Sequence, residues 1–265
     1  MNKWISRNFQ TVALILIICG MPVTRGLAAE AAYNILKTAD HDPTLFTQGF
    51  MVDGDELIES SGLYGQSRIL RYRIATGKVI HSRDLPASVF AEGLHLLNDS
   101  VYLLTWREGC AYRLDAADFS IQQRFVLETE GWGLTHDGTH FIQSDGSNVL
   151  YFRNSSTFKV EKQQPVYNGM RRQSNLNELE YARGLIWANV YMTPTIVAIS
   201  PNNGRVVFSL DLSDLTARHN DGDIGHVLNG IAYDPQRDAF WITGKCWNKR
   251  YLIQINSPET AAPEK

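Results

Sequence analysis

A short motif recurs five times along this chain at nearly constant spacing. A polar or aromatic residue is followed by glycine in four of the copies, and then by a large apolar residue. The copies are Gln48-Gly49-Phe50, Glu92-Gly93-Leu94, Trp132-Gly133-Leu134, Asn177-Glu178-Leu179 and Asn229-Gly230-Ile231. Successive copies lie 44, 40, 45 and 52 residues apart. Each opens a cassette of short alternating runs such as Ser100–Trp106, Ala111–Asp115 and Ala239–Thr243, separated by turn residues such as Asp53-Gly54-Asp55 and Asn98-Asp99. Period-two alternation bounded by Gly, Asn and Asp marks strands. A period of about 45 residues per four strands is that of a β-propeller blade. The expectation is an all-β chain folded as a five-bladed β-propeller over 29–256. The fifth unit runs out near Ile255 after three strands, so the segment around Tyr33–Lys37 is expected to supply the missing strand and close the last blade. The alternative is a β-sandwich in which the Gly-turns recur by coincidence.

Composition agrees with a globular chain: 44% apolar, 20% charged and 11% aromatic. It excludes a disordered or collagen-like chain and a disulfide-dense miniprotein. The net charge of −3 offers no electrostatic footprint for nucleic acid. The first 28 residues read differently. Lys3 and Arg7 precede an apolar run, Val12–Gly20, and then small residues at Gly26, Ala28 and Ala29. This is the layout of a cleaved signal peptide, and it implies a secreted or periplasmic protein. The apolar run is too short for a stable membrane anchor, which needs about 20 residues. Cleavage after Ala28 removes Lys3, Arg7 and Arg25, so the charge of −3 becomes −6. It also leaves two cysteines, Cys110 and Cys246, which an exported protein could join in one disulfide. Residues 257–265 read as a disordered tail.

In a propeller, equivalent positions of each repeat converge on one central channel. Gln48, Glu92, Trp132, Asn177 and Asn229 should therefore form one ring. A second set about 14 residues further on holds Trp106, Asp145 or Gly146, Tyr191 and Thr243–Lys245. The first ring has one carboxylate, three amides and an aromatic. A carboxylate among aromatics is desolvated and suits a proton shuttle. Amides pair with amides, and aromatic rings give a shaped apolar wall. The alternative is that these side chains plug the channel and satisfy one another. His136 and His140 flank an Asp-Gly turn, so their spacing is not the helical zinc pattern.

Several segments resemble the glutamine cyclotransferase family of plant-latex and bacterial type. They are Phe46-Thr-Gln-Gly49, Phe90-Ala-Glu-Gly-Leu94, Leu103-Leu-Thr-Trp106, Gly131–Gly138, Leu176–Tyr181, Ala188-Asn-Val190 and Thr243-Gly-Lys245. The resemblance implies a five-bladed propeller that converts an N-terminal Gln of a peptide or protein to pyroglutamate and releases ammonia. It implies Glu92 as catalytic acid and base, and pocket positions at Phe46, Gln48, Phe90, Trp106, Trp132, Asn177 and Lys245. Lys245 is expected to help stabilise the oxyanion. Tyr191 stands where the family pattern has Trp, and Cys246-Trp247-Asn248 replaces the usual residue-Trp-Pro. The implied scheme needs no cofactor and no metal, although a channel can hold a structural ion. The implied partners are Gln-initiated peptides, with no nucleic acid and no membrane anchor, and the chain is expected to act as a monomer. Two other readings fit the ring: a metal-dependent lactonase-like propeller using Glu92, Asn177 and Asn229, and a non-catalytic peptide-binding propeller.

Overall fold

Turn chemistry sets the strand pairings of this all-β chain. The computed structural model describes residues 27–256. Arg183 and Gly184 both take positive φ, 54° and 74°. They join Leu176–Ala182 to Leu185–Val190 with Ala182 opposite Leu185. A two-residue turn of that kind matches the twist of the strands it joins. Among the described residues the helix Ser213–Ala217 is a single five-residue element, and the rest is strands and loops.

Three of the expected units are separate four-stranded antiparallel sheets. They begin with the strands Thr47–Asp53, Ala91–Leu97 and Leu134–His136. The last two units do not separate. They run together into one eight-stranded sheet, because Ala29–Asp40 pairs on both sides. It lies antiparallel to Lys249–Asn256, with Tyr33 opposite Ile255, as the missing fourth strand was expected to do. Its first residues also pair in parallel with Val206–Asp211, Ala29 facing Phe208. A twelve-residue strand is longer than its partner, and the overhang finds a second edge.

The first strands of the five units touch in cyclic order. Thr47–Asp53 meets Ala91–Leu97, then come Leu134–His136, Leu176–Ala182 and Leu228–Asp234, which returns to Thr47–Asp53. The apolar core is divided among the seams between neighbouring units. Met51, Ile58 and Ile69 pack on Leu94, Val101 and Leu103, and Phe50, Leu57 and Leu70 pack on Ala232, Trp241 and Leu252. At Gly93 and Gly133 the neighbouring backbones approach so closely that a side chain has no room. A Cβ on Gly93 would lie 2.6 Å from the Leu134 nitrogen, and one on Gly133 would lie 2.1 Å from the Asn177 carbonyl oxygen. The recurring glycine is therefore a packing requirement.

Glu178 occupies that glycine position in the fourth repeat. Its carboxylate spans the centre, accepting from the backbone N–H of Phe50 at 3.3 Å and of Ile231 at 2.9 Å. Burial pushes its pKa well above the usual carboxylate range.

The disulfide is not formed. Cys110 and Cys246 are free thiols. Cys110 opens a strand of the second unit, while Cys246 sits in the turn before Lys249–Asn256, so they belong to different sheets. The signal-peptide reading of 1–28 falls almost wholly outside the described residues, and the tail reading of 257–265 does so entirely. Among the described residues no helix is long and apolar enough to cross a membrane.

Candidate active site

Bulges aim the ring side chains. The register of the first strand against the second shifts between Thr47 and Gly49, Ala91 and Leu94, Leu176 and Leu179, and Leu228 and Ile231. A bulge adds a residue and re-aims its side chain away from the pleat. Gln48, Glu92, Asn177 and Asn229 all sit in these shifts. In the third unit Trp132 precedes Leu134–His136, and its carbonyl accepts from Gly93 N–H at 2.6 Å.

A cavity of about 280 Å³ opens at this ring. It is lined by Phe46, Gln48, Leu63, Phe90, Glu92, Trp106, Trp132, Asn177, Tyr191 and Lys245. The nine residues expected to form the pocket, Phe46, Gln48, Phe90, Glu92, Trp106, Trp132, Asn177, Tyr191 and Lys245, are brought together there. Asn229 lies behind the wall: its Nδ2 donates to the Thr47 carbonyl at 2.9 Å and to Gln48 Oε1 at 3.3 Å. Asp145 turns aside to accept from the Tyr151 hydroxyl at 2.9 Å. Gly146 backs the Trp132 indole, where a Cβ would sit 2.7 Å from the ring.

Glu92 is the one carboxylate in the lining. Burial drives its pKa well above the usual range, Glu108 and Glu130 add to that, and Lys245 opposes it. Burial also lowers the Lys245 ammonium to a pKa of about 8, with Glu92 pulling the other way. Gln48 bridges the two. Its Oε1 accepts from Lys245 Nζ at 2.6 Å, and its Nε2 donates to Glu92 Oε1 at 3.2 Å. The Lys245 ammonium also lies 4.3 Å from the centre of the Phe46 ring and 5.7 Å from that of Tyr191, close enough for cation–π attraction. Among the described residues Asn177 Oδ1 is buried without a hydrogen-bond partner.

The aromatic wall is built from two groups of packed rings. Phe90 packs edge-on against Phe46 and tilted against Trp106, with ring centres 6.3 and 5.3 Å apart. Tyr191 meets Trp132 edge-on at 5.5 Å.

Sequence reading missed two residues here. Leu63 lies in the loop after Glu56–Ser61 with φ of 83°, and no residue type or spacing signals it. Glu130 accepts from both tryptophan walls; its place two residues before a repeat position was the available signal. Among the described residues no group of three or more His, Cys, Asp or Glu side chains is placed to hold a metal.

The profile of the family described as glutamine cyclotransferase matches residues 11–255. A glutaminyl-peptide cyclotransferase of Arabidopsis thaliana is 38% identical over 230 residues, covering 84% of this chain and 71% of that protein. The crystal structure of Myxococcus xanthus glutaminyl cyclase superposes with a TM-score of 0.81 at 27% identity, covering 86% of this chain and 98% of that one.

Proposed function

The chain belongs to the glutamine cyclotransferase family, and from that premise we propose that it is a glutaminyl-peptide cyclotransferase acting through Glu92. The substrate is a peptide or protein with N-terminal Gln, and the products are the pyroglutamyl peptide and ammonia. The observation that carries the reading is the place of Glu92, a buried carboxylate at the floor of an aromatic cavity with a raised pKa.

The α-nitrogen attacks the γ-carboxamide carbon, the new C–N bond closes a five-membered ring, and the old C–N bond breaks. The α-nitrogen gives up one proton and the departing nitrogen gains one. A single carboxyl group with a raised pKa can carry that proton both ways. The oxyanion that develops on the carboxamide faces a positive Lys245. Asn177, in the cavity lining, supplies a side-chain amide that can pair with the substrate carboxamide. Phe46, Phe90, Trp106, Trp132 and Tyr191 hold the Gln side chain curled, with amine beside carboxamide. Ring closure is intramolecular, so fixing that conformer is a large share of the catalysis.

The same proposal includes the five-bladed propeller, supported by the repeat period and the cyclic contacts of the first strands. It also includes export through residues 1–28. The test is ammonia release from a Gln-initiated dipeptide with and without a chelator. Release that is indifferent to the chelator supports the reading. Release abolished by the chelator favours the metal-dependent alternative, and dipeptide binding without release favours the non-catalytic one.

A further inference from the structure

We infer that Glu130 is a positioning residue that holds the two tryptophan walls of the cavity in register. Trp106 and Trp132 belong to different units of the fold, and their indole N–H groups converge on one carboxylate oxygen. Glu130 Oε2 accepts from Trp106 Nε1 at 2.9 Å and from Trp132 Nε1 at 3.0 Å. The other oxygen, Oε1, accepts from Arg107 Nε at 2.9 Å, and the Arg107 guanidinium covers the Trp106 ring at 3.9 Å from its centre. One side chain thus fixes the tilt of both indoles and holds the Arg107 that covers a face of one.

The loop that carries Glu130 is itself braced. Gln143 Nε2 donates to the Glu130 carbonyl at 2.9 Å. Gln143 in turn accepts from the buried Arg153 at 2.5 Å. The next residue, Gly131, donates its N–H to the Thr105 carbonyl at 3.1 Å, beside Trp106. A rotamer-locked carboxylate on a braced loop is what a preorganised aromatic wall requires. Partial burial alone would raise the Glu130 pKa, but its three donors more than reverse this and hold it below the usual range. Hydrogen bonds to an ionised acceptor are the stronger kind. Glu130 does not line the cavity: it acts on the shape of the wall through the indoles, beside the pull of its charge on the Glu92 carboxyl.

This inference rests on the cyclotransferase reading for its kinetic test and is independent of it for its spectroscopic one. Glu130→Ala should lower kcat/KM for a Gln-initiated peptide by about tenfold or more, largely through KM. Glu130→Gln keeps an oxygen for the indoles and should recover to within about threefold of the wild type. In a Trp106→Phe/Trp132→Phe background, which removes both indole donors, Glu130→Ala should cost less than about twofold more. Equal losses in Glu130→Ala and Glu130→Gln, or full additivity in the Phe background, would overturn the inference. If Glu130→Ala does not fold, the wild-type protein decides. NMR hydrogen exchange should show both indole N–H protons protected, and exchange of either at the rate of a free indole contradicts the bridge. Wild-type protein that releases no ammonia defeats the cyclotransferase reading and leaves the exchange result to judge Glu130.

Discussion

Lys245 reaches Glu92 through an amide. Its Nζ donates to Gln48 Oε1 at 2.6 Å, and the other end of that amide donates to Glu92 Oε1 at 3.2 Å. Gln48 therefore separates the two charges while orienting both. Replacing it with Leu leaves a buried ammonium without its acceptor and Glu92 without its donor. Gln48→Leu should lower kcat by about tenfold to a hundredfold in steady-state assays, with the fold intact by circular dichroism. A Leu variant with wild-type kcat would show that the bridge has no part in the chemistry.

The lowered Lys245 pKa predicts an alkaline limb. Its charge is complete well below pH 8 and is lost as pH rises through about 8. The substrate α-amine must be neutral to attack, so its own deprotonation sets an acid limb near pH 8. Activity should pass through a narrow maximum there. Lys245→Arg keeps the charge at all working pH values. Its turnover should be lower, but the alkaline limb should move up or vanish. An unmoved limb would assign it to a group other than Lys245.

Tyr191 stands where the family pattern has Trp, and it meets Trp132 edge-on. The contact belongs to the ring. Tyr191→Phe should stay within about twofold of wild type in KM, while Tyr191→Ala should raise KM by about fivefold, the worth of one aromatic pair. If Phe and Ala behave alike, the hydroxyl carries the contribution instead.

Stability should depend on pH through Glu180. Burial raises its pKa from 4.5 to about 8, against the pull of its hydrogen bond from Tyr233 N–H. The folded state therefore holds a proton that the unfolded state releases between those values. Its contribution is fully present below pH 4.5 and is lost as pH rises through about 8. Glu180→Gln should flatten the fall in thermal midpoint between pH 5 and pH 8. A slope unchanged by the substitution would mean that Glu180 titrates normally.

What the sequence made legible follows from the repeat. Equivalent positions converge, so Gln48, Glu92, Trp132 and Asn177 were found by spacing, while the family resemblance supplied Phe46 and Phe90. The same spacing placed Asn229 in the ring but could not tell a lining residue from one behind the wall. That distinction depends on which way a bulge turns a side chain. Leu63 was invisible because it lies outside the repeated motif. Glu178 was visible as the glutamate that breaks the glycine pattern, but its meaning needed the distance between backbones at the centre. The joining of the last two units was beyond reach, because it depends on how far the first strand overhangs its partner.

The central claim is that Glu92 carries the proton. The most direct measurement compares ammonia release from a Gln-initiated dipeptide by wild-type protein and by Glu92→Gln, with thermal unfolding recorded for both. Glu92→Gln should fold as the wild type does and release ammonia at no more than about a thousandth of the rate. A well-folded Glu92→Gln protein that turns over the dipeptide at a rate near wild type would contradict the account.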